Sequence, residues 1–220
     1  MQSISPRHIL ILVATAAMAA VLAIAIQSSW ADGASGGYGG SMTGHDMGGG
    51  PSQSQGQIPN QLKKDIATAR LALAPYATDL DAAKAAGYSR QITPMMPDMG
   101  YHYMDPSVTG FDLRRPPILV YERHDGTNQL AAAEWVFPSK PAKAPLPGAK
   151  YGSFPAACHY EDGTFVAQKR EKACAPATAS GSAFTFWHPD LVTLHLWLWY
   201  PNPDGLFNST NPLIAPFNRG

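Results

Sequence analysis

Apolar residues recur at helical spacing at the start of the region that we expect to fold. In residues 61–73 (QLKKDIATARLAL) they lie three or four positions apart, which predicts an amphipathic helix with Asn60 as its N-cap. These apolar positions are Leu62, Ile66, Ala69 and Leu73. A second helix is predicted to begin after Thr78, with Asp81 as its capping-box partner, and to end at Gly87. Both helices are short, so each must pack on another layer.

Four later segments have the composition and apolar spacing of β-strands. They are residues 117–123 (PILVYER), 130–137 (LAAAEWVF), 163–168 (GTFVAQ) and 191–200 (LVTLHLWLWY). Asp125-Gly126 is the turn signal between the first two. Helices followed by antiparallel strands predict an α+β domain, in which the two N-terminal helices pack on an antiparallel, partly barrel-like β-sheet.

The first 57 residues have a different character. Residues 9–26 are apolar except for Thr15, and small residues follow at Ser29 and Ala31. This pattern predicts that residues 1–31 are a signal peptide or, if uncleaved, a membrane anchor, and either outcome exports the chain. Residues 32–57 are rich in glycine and serine, which predicts a disordered tether. Residues 58–220 are then a single globular domain.

Charge and cysteine content narrow the functional classes. Sixteen basic residues balance sixteen acidic ones, and without a basic stripe nucleic acid is not an expected partner. In an exported chain, Cys158 and Cys174 predict one disulfide, because their spacing fits no zinc ribbon. The sequence contains no Gly-rich phosphate loop and no serine or cysteine nucleophile signature, which disfavours nucleotide chemistry and acyl transfer.

Two glutamates share the phase of the apolar residues on their predicted strands. Glu122 is in phase with Val120, and Glu134 is in phase with Val136. A carboxylate in that position destabilises a fold unless a cation, a metal or strong donors pair with it. Arg114, Arg115 or Arg123 could provide the cation, which would make both carboxylates purely structural.

Histidines provide the other half of a candidate metal site. His195 lies in the middle of the aromatic face of the last predicted strand, where the alternative is a hydrogen-bonded core histidine. Imidazoles and carboxylates that converge from a sheet are typical ligands of first-row metals. The predicted ligands are His102, Glu122, Glu134 and His195, while His124, His159 and His188 are weaker candidates. Glu122 and Glu134 share a face only if their hairpin has an odd loop or a bulge.

The stretch MMPDMGYHYM, residues 95–104, bears on the identity of the metal. It places four of the eight methionines around His102. Because thioethers favour Cu(I), copper is the favoured ion, and zinc and iron remain alternatives. The methionines could instead fill irregular gaps beside Pro97. The residues expected to surround the metal or contact a ligand are Tyr101, Tyr103, Met99, Met104, Trp197 and Trp199.

Two motifs resemble an uncharacterised family of secreted bacterial proteins. The first is GYHY, residues 100–103, one residue before Asp105-Pro106; the strand ending in Glu122 and then Glu134-Trp135 follow it. The second is HLWLWYPNPDGLF, residues 195–207. The likeness covers about residues 67–212 and implies that the four predicted metal ligands belong to one recurring pattern. It implies no particular activity.

These observations predict an exported metal-binding protein whose partners are a metal ion and a small molecule or saccharide. An open coordination position would make the site a redox or hydrolytic centre, as in a metal-dependent oxidoreductase, and a closed one would make it a carrier or structural site. The first alternative is a metal-free binding module with an aromatic cleft formed by Trp187, Trp197, Trp199, Tyr101 and Tyr103. The second is a non-catalytic envelope scaffold. Membrane contact is expected only through an uncleaved N-terminal segment.

Overall fold

A computed structural model describes residues 58–218 of the chain. The predicted signal or anchor segment and the predicted tether lie outside these residues, so their boundaries stay predictions. The described residues contain two α-helices, two short 3-10 helices and nine strands. The α-helices are α1 (Asn60–Leu73) and α2 (Leu80–Ala85), and the 3-10 helices are Ala74–Tyr76 and Glu171–Ala173. The strands are β1 (Arg90–Gln91), β2 (Tyr101–Met104), β3 (Ile118–His124), β4 (Thr127–Phe137), β5 (Gly152–Phe154), β6 (Ala157–Tyr160), β7 (Phe165–Ala167), β8 (Phe184–His188) and β9 (Leu191–Trp197).

Both predicted helices form, with shifted caps. Helix α1 starts at Asn60 and follows Pro59, which makes no side-chain cap bond, so Asn60 is the first helical residue and not the N-cap. Helix α2 is capped by Asp79, whose carboxylate accepts a hydrogen bond of 2.8 Å from the main-chain N–H of Ala82. The predicted cap at Thr78 is therefore wrong by one residue. Neither α-helix is long and apolar enough to cross a bilayer.

The strands form two antiparallel sheets. The larger has the order β1-β2-β3-β4-β9-β5, and the smaller has the order β7-β6-β8. One face of the larger sheet packs against the helices, which confirms the α+β class in broad terms. No barrel closes among the described strands, because β1 and β5 are short and lie at opposite edges of the larger sheet. The barrel-like part of the prediction is therefore wrong.

The hairpin of β3 and β4 contains a bulge, which is one of the two features that could place Glu122 and Glu134 on the same face. A two-residue turn at Asp125 and Gly126 makes Tyr121 pair with Leu130, but the next residue of β3, Val120, pairs with Ala132. One extra residue in β4 thus shifts the register. As a result Ile118 faces Glu134 across the ladder, so that Glu134 shares a face with Glu122.

The smaller sheet was not predicted except near β7. Its strands are three to five residues long and are separated by turns and loops, so periodicity gives little signal. The predicted disulfide between Cys158 and Cys174 is confirmed. It ties β6 to the segment that follows the second 3-10 helix.

We expect Gly100→Ala to destabilise the protein by about 3 kcal/mol, since backbone strain and steric overlap each contribute roughly 1–3 kcal/mol. Gly100 has φ +82° directly before β2, and an added Cβ would overlap the main-chain carbonyl oxygen of Tyr121. Gly110→Ala is the control, because Gly110 has φ +77° but nothing within 4 Å of the added atom. Urea unfolding should show only about 1 kcal/mol lost there. Equal losses would contradict the steric argument.

Removing the disulfide with Cys158→Ala/Cys174→Ala should lower the free energy of unfolding by about 3 kcal/mol, because the bond closes a loop between residues that are 16 positions apart. Urea unfolding of the oxidised protein and the double variant measures the difference. A loss below about 0.5 kcal/mol would show that the smaller sheet does not depend on this bond.

Candidate metal centre

A cavity of about 300 Å³ lies between the larger sheet and the smaller one. Glu134 and His195 line it from the larger sheet, and His159, Phe186 and His188 line it from the smaller sheet. Most of the exposed lining is apolar. Polar side chains in this cavity therefore have little access to water, and each needs a partner.

His102, Glu134 and His195 meet in this cavity from strands β2, β4 and β9. Glu134 and His195 face each other across the β4–β9 ladder. His102 pairs with Val120 of β3, which is two residues along β3 from Ile118, the residue opposite Glu134. Nε2 of His102 lies 3.5 Å from Oε2 of Glu134, and Nε2 of His195 lies 3.6 Å from Oε1. One possible ligand atom from each residue lies within 4.8 Å of those of the other two.

Burial keeps this three-residue cluster uncharged in the absence of a cation. His102, Glu134 and His195 are at most 4% exposed. Burial, and then the nearby His195, lower the pKa of His102 to about 3, and burial lowers the pKa of His195 to about 4. Burial raises the pKa of Glu134 to about 8. Both imidazoles thus keep free lone pairs at neutral pH, and a cation between them would stabilise the ionised carboxylate.

Thr93 fixes the orientation of His102. Its hydroxyl oxygen accepts a hydrogen bond of 3.0 Å from the main-chain N–H of His102 and lies 3.0 Å from the ring Nδ1. This contact holds Nδ1, so that Nε2 is left to face Glu134. A partner on the far ring nitrogen is the usual feature that orients a metal-binding histidine.

His195 is held by stacking and has no such partner. Its ring lies 6.3 Å from that of Trp197, with an angle of 14° between the planes. Neither ring nitrogen has a hydrogen-bond partner within the described part of the chain. The alternative of a hydrogen-bonded core histidine is therefore not what the structure contains. An unpaired buried nitrogen lowers stability, and a ligand in the cavity would remove that penalty.

Glu122 lies outside the cluster, which corrects the predicted ligand set. The carboxylate is fully buried and accepts a hydrogen bond from the hydroxyl of Tyr200. Glu122 is four residues along β3 from Ile118, the residue opposite Glu134, which separates the two glutamates by about 13 Å at roughly 3.3 Å per residue. The bulge therefore gives them a common face but not a common site.

Arginine pairing, the alternative explanation for the glutamates, does not occur within residues 58–218. The ion pairs found there join neither glutamate to an arginine. Arg115 instead pairs with the buried Asp105 at 2.8 Å. Burial alone would raise the pKa of Asp105, but hydrogen bonds from Ser107 and Arg115 lower it below its usual value.

The aromatic residues do not form the predicted cleft. Tyr101 and Tyr103 pack in the core that faces the helices, because neighbouring residues of a strand point to opposite faces and His102 takes the other side. Trp199 lies beyond the end of β9 and packs against the same core. Trp197 is buried beside His195, and Trp187 donates its indole N–H to the main-chain oxygen of Gln168. Only Trp197 thus lies next to the cluster. The predicted Met99 and Met104 line the cavity, together with Met96.

Sequence reasoning gave too little weight to His159 and His188 and missed Thr93. His159 and His188 line the cavity from β6 and β8. A period-two pattern in the segment FTFWH, where Phe184 and Phe186 alternate towards His188, was the available signal. No local feature of the sequence pointed to Thr93, because its role depends on a contact with His102, nine residues away.

Comparisons with protein-family models, with curated proteins and with solved structures found no match to this chain.

We expect Thr93→Val to lower the free energy of unfolding by about 1–3 kcal/mol, because it leaves the buried main-chain N–H of His102 without an acceptor. Thr193→Val is the matched control. Thr193 lines the same cavity, and no hydrogen bond joins it to His102 among the described residues. Urea unfolding of both variants is the measurement, and equal destabilisation would contradict the assigned role of Thr93.

Proposed function

We propose that this chain is an exported metal-binding protein in which His102, Glu134 and His195 hold one transition-metal ion, with copper favoured. The observation that carries the proposal is the convergence of two buried imidazoles and a buried carboxylate. No lysine or arginine pairs with that carboxylate in the described region. A metal ion would supply the missing positive charge and accept the imidazole lone pairs.

The ligand set favours a first-row transition metal over magnesium or calcium. Two imidazoles and one carboxylate occur in zinc enzymes and in non-haem iron(II) oxygenases, with a further position open. Copper(II) binds nitrogen and oxygen sites most tightly of the divalent first-row ions. The thioethers of Met96, Met99 and Met104 line the same cavity, which supports copper in its reduced state as well.

The cavity supports an activity at the metal and not storage alone. Three protein ligands leave a coordination position, and about 300 Å³ of space adjoins the cluster. We therefore extend the proposal to a metal-dependent oxidoreductase that acts on a small, largely apolar molecule. His102, Glu134 and His195 would hold the metal, Thr93 would orient His102, and the apolar walls would exclude bulk water.

Export is part of the proposal for two independent reasons. The apolar segment at residues 9–26 has the features of a secretory signal. The disulfide between Cys158 and Cys174 supports an oxidising compartment.

Elemental analysis of the full chain, purified from the exported fraction, tests the metal site. We expect about one metal ion per chain at this cluster, and we expect Glu134→Gln to weaken binding about 100-fold or more, because removing one partner of a buried charged group loses roughly 3 kcal/mol. Glu122→Gln is the matched control, a buried glutamate on the same face that lies outside the cluster.

The identity of the dominant ion decides between copper, zinc and iron. Competition with a chelator of known affinity should give the same dissociation constant for the wild-type protein and Glu122→Gln. A wild-type protein that binds none of the three ions would refute the proposal. Binding that is equal in Glu134→Gln and Glu122→Gln would refute it as well.

A further inference from the structure

A second pair of histidines lines the cavity outside the three-residue cluster. His159 of β6 is 1% exposed and His188 of β8 is 8% exposed. Their ring centroids are 5.0 Å apart, with an angle of 37° between the planes. The proposed metal site uses neither residue.

Main-chain carbonyl groups fix the proton on each ring. Nδ1 of His159 lies 2.9 Å from the oxygen of Ile92, and Nδ1 of His188 lies 2.6 Å from the oxygen of Pro189. A carbonyl oxygen only accepts, so each Nδ1 must carry the hydrogen and donate it. In the neutral ring the lone pair is then on Nε2.

Both of these lone pairs lack a partner. The Nε2 atoms of His159 and His188 are buried and make no hydrogen bond within the described part of the chain. A histidine with Nδ1–H bonded to a carbonyl oxygen and a free Nε2 has the arrangement found in metal ligands. Two such rings in contact therefore indicate a binding site and not merely core packing.

The surroundings indicate the charge of the ion. Phe186 stacks on His159 with centroids 4.5 Å apart, and Phe154 lies 4.6 Å from His188. Among the described residues that line the cavity, Glu134 is the only carboxylate, and it belongs to the cluster. The carboxylate of Asp190 acts on His188 from outside the cavity and could balance one charge. A monovalent ion on the two neutral imidazoles therefore fits better than a divalent one.

Softness narrows the choice of ion further. Cu(I) is monovalent and soft and binds imidazole and thioether ligands. Met96 and Met99 line the same cavity. Sodium and potassium prefer oxygen ligands, whereas the unpartnered atoms of this pair are two imidazole nitrogens.

We propose that the Nε2 atoms of His159 and His188 form a second metal site, which binds one Cu(I) ion in the same cavity as the His102–Glu134–His195 cluster. The two sites share a support, because the Ile92 carbonyl orients His159 and the adjacent Thr93 hydroxyl orients His102. They have no ligand in common, so the second site stands or falls independently of the first.

The test is an anaerobic Cu(I) titration of the full chain in competition with bicinchoninate, with ascorbate to keep copper reduced. The variant is His159→Asn/His188→Asn. Asparagine places an amide N–H where Nδ1–H was and lacks the Nε2 lone pair. We expect this variant to bind one Cu(I) fewer per chain than the wild-type protein, while Glu134→Gln keeps that equivalent.

His124→Asn is the control for the substitution itself. His124 lies at the end of β3, outside the cavity, and its side chain is 43% exposed. The His124→Asn variant should bind the same number of Cu(I) ions as the wild-type protein. Equal stoichiometry in His159→Asn/His188→Asn and His124→Asn would overturn the second site.

A measurement on the wild-type protein covers the case in which the double variant does not fold. Nitrogen NMR of the imidazoles should first show Nδ1-protonated His159 and His188. Their Nε2 resonances should then shift when Cu(I) is added to a sample whose cluster is already loaded with zinc. Unchanged Nε2 resonances would refute the second site. The test of the first site with Glu134→Gln does not depend on this outcome.

Discussion

Glu134 places a carboxyl group in an apolar cavity between two imidazoles, and this burial constrains the sheet around it. The neighbours that reach its oxygens are His102 and His195, each about 3.5 Å away. Without a cation the carboxyl is held protonated, because burial raises its pKa to about 8. A fold that keeps such a group must position the three strands β2, β4 and β9 closely enough for their side chains to satisfy one another or a shared ligand.

One extra residue in β4 makes that arrangement possible. The two-residue turn at Asp125 and Gly126 by itself would place Glu134 on the opposite face from Glu122, in the core against the helices. The bulge reverses the phase of the second half of β4, so that Glu134 enters the cavity while Ala133 and Trp135 pack against the helices. The candidate site thus depends on a register shift, and helix packing on the other face reinforces it.

The smaller sheet turns one face of the larger sheet into a cavity. Short strands and the disulfide between Cys158 and Cys174 hold Phe186 and the pair His159–His188 opposite the cluster. The segment at Ile92 and Thr93 contacts a histidine on each sheet. The cavity is therefore a joint product of both sheets, and its two histidine groups share a low-dielectric environment in which each unpaired lone pair lowers stability.

By itself, the sequence determined the helices and the long strands, since periodicity acts over a few neighbouring positions. It also determined the disulfide, since the chain has only two cysteines. Three of the four ligands that it predicted, His102, Glu134 and His195, meet in one cluster that could hold a metal ion. Only the tertiary structure excluded Glu122, which Tyr200 binds from 78 residues away. It also brought His159 and His188 into the cavity and split the aromatic residues between two faces. These outcomes depend on strand order and on one bulge, and neither has a local signature in the sequence.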